Sequence, residues 1–467
     1  MQKKLIMINK YDCNSIISYA KKLKNKSLIQ ACEKEILMHN YQGKGNFGQV
    51  LEKFYFGYEP NSEAEPDFKE AGLELKSSPL KQLKNGEYRA KERLVLNIIN
   101  YMEVYKEKFE TSSFWKKNAH LLLVFYLYEK DSNILDYVIK LVDDWSYPEE
   151  DLKVIRHDWE IINRKIKDGL AHELSEGDTY YLGACTKGAT AKKSLRNQPY
   201  NKIKAKQRAY SLKQGYVNHI IANIAQEERA TYGKIIKQPK ILSKSVSIEE
   251  LVVSKFKLFY GKSTHEIEIN LGLHLNRKAK SYFANLTNVI LGLKLGQKIE
   301  EFEKAEIQVK TVRIKENDLP KENISFPNFK YIDLIQADWE DSDFYQILTR
   351  KFFFVFYQFK GSNLILRKVK FWNMPHSDIL EAKKVWAQMV NIISSGHIIK
   401  KISPKGIRST YFPKKKDNRV SHVRPHANNA ADTYKLPVAD KLTGAKEYTK
   451  HCFWLNASYV RDEIYAD

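Results

Sequence analysis

The chain reads as one pattern written twice. KGNFGQVLEKFYFG (44–57) is answered by KSYFANLTNVILGLK (280–294), and DFKEAGLELKSSPL (67–80) by EFEKAEIQVKTVRI (301–314). SSFWKKNAHLLLVFYLY (112–128) matches YQILTRKFFFVFYQF (345–359), and IRHDWEIINRKIKDG (155–169) matches EAKKVWAQMVNIISSG (381–396). YLGACTKGAT (181–190) pairs with SHVRPHANNA (421–430), and AYSLKQGYVNHII (209–221) with CFWLNASYVRDEI (452–464). The offset falls from 236 (Lys44 to Lys280) to 227 (Gly169 to Gly396) and then rises to 243 (Leu212 to Leu455). Loops absorb a drift of that size, so the pattern predicts an internal duplication. At 467 residues the chain also exceeds one ordinary core. The expected domains are 1–235 and 236–467, joined through the polar stretch around Gln238-Pro239-Lys240.

Each copy mixes strand and helix signals. LLLVFYLY (121–128) and FFFVFYQF (352–359) are strand-sized apolar runs, far too short to span a bilayer. Ile155, Trp159, Ile162 and Ile166 fall at helical spacing. The fold class expected is α/β. MQKKLIMINK has too short an apolar stretch for a signal peptide. Cys13, Cys32, Cys185 and Cys452 form no CxxC pair, which fits free thiols in a reducing, cytoplasmic setting. Lys and Arg outnumber Asp and Glu by 78 to 56, a formal charge of +22. That balance favours an anionic partner, nucleic acid ahead of a membrane surface.

The chemistry concentrates in DFKEAGLELKSSP. Side chains alternate along a strand, so Glu74 and Lys76 share one face and Leu73 and Leu75 the other. Gly72 can make the tight bend that returns Asp67 to Glu74. Two carboxylates suit a hard cation such as Mg²⁺, and the ammonium suits a nucleophilic water. The second copy carries Glu301, Gln308 and Lys310 at these places. An amide at 308 cannot supply the charge that a Mg²⁺ site needs. One copy is expected to cut, and the other to bind DNA and regulate or tether the first.

From Lys192 to Lys213 the chain carries eight basic residues and no acid, with Tyr200 and Tyr210 interleaved. These are Lys192, Lys193, Arg196, Lys202, Lys204, Lys206, Arg208 and Lys213. Such a run can track a phosphate backbone, which positions a protein without specifying sequence.

KGNFGQVLE, D-x6-E-L-K, FETSSFWKKNAH, DWEIINRKI, YLGACTKGA and RAYSLK together resemble MutH, the GATC-specific nicking endonuclease of mismatch repair. The duplicated whole is similar to the two-lobed GATC-specific type II restriction endonucleases of the Sau-three-A kind. The resemblance implies two tandem restriction-endonuclease-like domains, each a mixed sheet flanked by helices. It implies Mg²⁺-dependent double-strand cutting before the G of 5′-GATC, leaving a 5′-phosphate, with a regulatory second lobe. Asp67 and Glu74 match the metal-binding acids, and Lys76 the lysine that orients the attacking water. Glu52 matches the helix acid that completes the site, Lys117 a further active-site lysine, and Lys44 the basic residue before that helix. The Leu75 carbonyl is a further oxygen for the cation. In the second copy Thr287 stands for Glu52 and Leu348 for Lys117.

Lys187, beside Thr186, matches the lysine of the MutH recognition loop and can donate to guanine O6 and N7. Cys185-Thr186 replaces an Arg-Pro pair there, whereas the second copy keeps Arg424-Pro425, followed by His426 and Asn428, as candidate DNA contacts. Ser211 stands where MutH has a tyrosine beside the target adenine, so adenine methylation is expected to be poorly discriminated. Arg208, Tyr210 and Lys213 join the expected DNA contacts of the first lobe. Two rivals follow: a MutH-like nickase, which would need only one lobe, and a non-catalytic GATC-binding regulator, which would not need the clustered acids. Cutting both strands with one active lobe suggests a monomer that dimerises on DNA.

Overall fold

The computed structural model describes residues 9–32, 46–59, 65–187, 194–227, 232–236 and 247–466. Two compact units emerge. The first comprises Met1–Ser245 and Gln297–Glu306, the second Val246–Gly296 and Ile307–Asp467. Lys44, Lys192, Lys193 and the 238–240 stretch lie outside the described residues.

The first unit is built on a four-stranded sheet in the order β2-β1-β4-β5. Its strands are β1 (Glu74–Gln82), β2 (Tyr88–Ala90), β4 (His120–Leu127) and β5 (Ile139–Ser146). β1 runs parallel to β4, in the register Glu74↔Leu121 and Lys76↔Leu123, while β4 and β5 are antiparallel. Leu121–Phe125 are buried without a break, as expected of a central strand covered on both faces. The helix Glu149–Lys167 packs its stripe of Ile155, Trp159, Ile162 and Ile166 inward. Its first turn is acidic and its last basic, complementing the helix dipole. A second sheet, β3-β9-β6, joins Leu94–Ile98 (β3), Leu182–Thr186 (β6) and Arg208–Leu212 (β9). Between β6 and β9 in sequence lies the hairpin β7 (Leu195–Gln198) and β8 (Asn201–Lys206).

The second unit repeats this plan. β12 (Gln308–Ile314), β14 (Phe352–Lys360) and β15 (Asn363–Trp372) form one sheet, with β12 and β14 parallel in the register Gln308↔Phe352 and Lys310↔Phe354. β13 (Ile324–Phe329), β18 (Ser421–Pro425) and β21 (His451–Leu455) form the other, in the order β13-β21-β18. Two small ribbons, β16 (Ile399–Ile402) with β17 (Arg408–Thr410) and β19 (Thr433–Lys435) with β20 (Glu447–Thr449), complete it. The duplication reaches single contacts. A bulge between Phe125 and Tyr126 recurs between Phe356 and Tyr357. Asp151 accepts from the Tyr216 hydroxyl at 3.1 Å, and Asp378 from Tyr459 at 2.7 Å. Ser112 and Ser342 each cap a short helix by accepting from the backbone N–H three residues on.

One segment departs from a simple halving. Residues 297–306 come from the sequence of the second copy and belong to the first unit. β11 (Lys298–Ile299) pairs with β10 (Tyr232–Gly233). The turn of helix that follows, Glu300–Ala305, packs on the helix Gln214–Ile224 so closely that a Cβ on Gly215 would lie 2.0 Å from the Glu303 carbonyl. Lys304 is buried there, 2.9 Å from Asp151 and 3.1 Å from Glu300.

Candidate active site

The site starts with a turn. Residues Lys69–Ala71 form one 3-10 turn, and Gly72 bends through φ +63°, a left-handed conformation that disfavours a side chain. Phe68 and Leu73 exchange backbone hydrogen bonds of 3.0 and 3.2 Å across it. Asp67 thereby lies beside the start of β1. Its backbone N–H donates to Glu74 Oε2 at 3.0 Å, and its Oδ2 accepts from the Leu75 N–H at 3.0 Å. Leu73 and Leu75 face a core with Ile16, Phe47, Val50 and Leu51. That burial fixes the strand and leaves Glu74 and Lys76 on its other face.

Glu74 is the hub. Its side chain is 1% exposed, and its Oε1 lies 2.5 Å from Lys76 Nζ and 3.7 Å from Lys117 Nζ. Lys117 arrives from the last turn of the helix Ser113–Asn118. Glu52 arrives from a π-helical turn, Leu51–Phe56, that continues the helix Asn46–Val50. Gly48 makes room for this approach, since a Cβ there would sit 3.3 Å from Ser77 Oγ and 3.8 Å from Glu52 Oε1. Burial and the neighbouring charge of Asp67 push the Glu52 carboxyl up to about 7. Glu74 adds to that rise, while Lys76 and Lys117 oppose it. Burial also raises Glu74, against the pull of Lys76.

The residues fit a hard cation. Asp67, Glu74 and the Leu75 carbonyl offer oxygen donors, and Glu52 supplies a third carboxylate nearby. Among the described residues no three His, Cys, Asp or Glu side chains are already gathered as a metal cage. Lys76 instead occupies the Glu74 carboxylate. Sequence reasoning missed Tyr58. Its ring stands edge-on to Phe68 at 5.5 Å, its N–H donates to the Glu52 carbonyl at 3.1 Å, and its buried hydroxyl has no hydrogen-bond partner among the described residues. No spacing or motif distinguishes a tyrosine placed so in a loop.

The expected DNA contacts divide. Thr186 and Lys187 are exposed at the end of β6, and Arg196, Lys202 and Lys204 are exposed on the β7/β8 hairpin. Arg208, Tyr210, Ser211 and Lys213 face inward, a correction to their reading as contact residues. The Arg208 guanidinium donates to the Ala184 carbonyl at 2.6 Å. Lys213 Nζ donates to the Glu176 and Thr179 carbonyls, both at 2.6 Å. Tyr210 and Ser211 are fully buried. Charge alone suggested a surface, but backbone carbonyls of β6 and of the 176–179 turn take up these two cations. In the second unit, Arg424 and His426 are exposed at the end of β18, the strand equivalent to β6, and Asn428 is exposed just beyond. Arg424 lies over Trp454 at 5.3 Å, and His426 contacts Asn328 at 3.1 Å.

Sequence comparison adds to this geometry. The family model for the DNA mismatch repair enzyme MutH matches residues 56–158. That stretch contains Asp67, Glu74, Lys76 and Lys117 and starts just past Glu52. The Type II restriction enzyme Sau3AI of Staphylococcus aureus is 39% identical over 458 residues, which covers 91% of this chain and 93% of that one.

Proposed function

The chain belongs to the family of the type II restriction enzyme Sau3AI, and from that premise we propose that its first unit cuts both strands of DNA at 5′-GATC, before the G, in a Mg²⁺-dependent reaction. A type II restriction endonuclease is a site-specific deoxyribonuclease, so the reaction class is phosphodiester hydrolysis. The carrying observation is the cluster of Asp67, Glu74 and Lys76 at the head of a rigid strand.

Asp67, Glu74 and the Leu75 carbonyl would hold the cation. When bound, Mg²⁺ supplies charge stabilisation at phosphorus and a lowered pKa for water. Lys76, paired with Glu74 in this structure, would be freed from it were Glu74 to hold the cation, and would then orient the attacking water in line with the scissile bond. The water oxygen bonds to phosphorus, the P–O3′ bond breaks, and the 3′ oxygen leaves with a proton. Lys117 meets the charge that grows on the non-bridging oxygens. Glu52 closes the site from its helix.

Thr186 and Lys187 read the bases, with Lys187 donating to guanine in the major groove. The exposed basic residues of the β7/β8 hairpin hold phosphates. Ser211, where MutH has a tyrosine, is buried on β9 and puts no ring toward the bases, so adenine methylation is expected not to protect the site. The second unit, with Gln308 in place of an acid, binds DNA through Arg424, His426 and Asn428 and regulates cutting. One active unit per chain makes double-strand cleavage a task for two chains assembled on DNA. Plasmid carrying several GATC sites, digested with Mg²⁺ or with EDTA, tests the reading. Linear fragments ending at GATC from both adenine-methylated and unmethylated plasmid, in Mg²⁺ alone, are expected. Nicked circles only would favour the repair-type nickase, and intact plasmid would favour the regulator.

A further inference from the structure

The second copy has lost the acids of the first without losing the lysine. Lys310 on β12 holds the register position of Lys76 on β1: each is two residues into the parallel pairing with the central strand. In the first unit Glu74 neutralises that lysine at 2.5 Å. In the second, position 308 is an amide. Glu301, the counterpart of Asp67, is used elsewhere: it belongs to the first unit, and its carboxylate accepts from the Ile235 and Ile236 N–H groups at 2.9 Å. Thr287, the counterpart of Glu52, carries no charge. Among the described residues Lys310 has no carboxylate partner within ion-pair distance. Its ammonium rests 6.0 Å from the Phe326 ring centroid, and burial pulls its pKa down. A partly buried cation with no acidic partner among the described residues is a cost that an incoming anion would relieve.

A cavity of about 220 Å³ opens there between β12 and β13. Lys310, Thr311, Arg313, Lys321, Glu322 and Ser325 line it. Arg313 is committed to Glu322 at 2.7 Å, so the one acid in the lining is already paired. That leaves, among the described residues, Lys310 and Lys321 as the lining cations not paired to an acid, beside a space large enough for a phosphate group.

We propose that this relic of the active site is a cation-independent binding site for a DNA phosphodiester, with Lys310 as its anchor. The site holds phosphate because it lacks the metal-binding acids: its one carboxylate, Glu322, is paired with Arg313, so it needs no metal, and with no metal it cannot cut. This rests on the reading that the second unit binds DNA.

The test uses full-length protein in EDTA, a GATC duplex and a salt titration. One phosphate contact contributes about 0.9 to the slope of log affinity against log salt. Lys310→Gln is expected to weaken binding several-fold at low salt and to lower the slope by about that amount, and Lys310→Arg is expected to restore both. An unchanged slope in Lys310→Gln would overturn the proposal. Amine acetylation of the unmodified protein, read by mass spectrometry, needs no variant: the duplex should protect Lys310, and equal labelling with and without duplex would also overturn it. Absence of duplex binding by the unmodified protein would instead remove the functional reading on which the site rests.

Discussion

Lys76 Nζ sits 2.5 Å from Glu74 Oε1, two residues along the same strand face, in a pocket where Glu74 is 1% exposed. On the proposed reading Lys76 pairs with the carboxylate that the cation would take, so this charge-balanced pair is the state that cation binding would break.

Glu52 gives that state a pH signature. Its carboxyl is pushed up to about 7 in the folded protein from an ordinary value of 4.5. The folded chain therefore keeps a proton that the unfolded chain has already lost across that window. Its contribution to stability is full below the lower value and is lost as pH rises through the upper one. With discount for partial exposure, the loss is on the order of 1 kcal/mol. Thermal unfolding in EDTA should show a midpoint falling from pH 5 to pH 8. Glu52→Gln should flatten that fall, and Mg²⁺ should offset it at pH 8. The same pH dependence in the variant as in the parent would refute this.

Asp158 orders the chain where it enters β6. It is fully buried and accepts from the N–H groups of Tyr180, Tyr181 and Leu182 at 2.8, 2.6 and 2.9 Å. Asp158→Ala leaves three buried donors without partners, at about 1–3 kcal/mol for each one left unsatisfied. Denaturant unfolding should show a loss of several kcal/mol, and Asp158→Asn, which keeps an acceptor oxygen, a smaller one. Equal losses in both variants would mean that the three N–H groups do not depend on the carboxylate.

Base reading and phosphate holding should separate by mutation. Lys187→Ala is expected to weaken GATC binding by about 1–3 kcal/mol while leaving non-specific binding nearly intact. Lys202→Ala is expected to weaken binding to all sequences alike and to lower the salt slope by about 1. Competition binding with GATC and scrambled duplexes reads both. Uniform weakening by Lys187→Ala would remove it from base reading.

The site in the first unit was legible because it is local. Asp67, Gly72, Glu74 and Lys76 lie within one turn and one strand, and period-two alternation fixes their faces. The repeated fold was legible because six segments kept their order. Burial of Arg208 and Lys213 was not, since their partners are carbonyls and every residue has one. Tyr58 was equally silent. Nor does local pattern announce the return of 297–306 to the first unit, whose buried Lys304–Asp151 pair joins residues 153 apart. That return also means that truncation at 235 would strip buried parts from the first unit, so point variants are the sound probes of each copy.

The central claim is that the Asp67–Glu74–Lys76 cluster of the first unit does the cutting. Glu74→Gln in the full chain tests it most directly, with cleavage and binding of one GATC duplex measured side by side. The expected result is cleavage reduced by about 10²–10³-fold, in the range that loss of a key charge-stabilising group produces, with duplex binding in EDTA within a few-fold of the unmodified protein. Cleavage that survives Glu74→Gln would place the chemistry elsewhere in the chain and contradict the account.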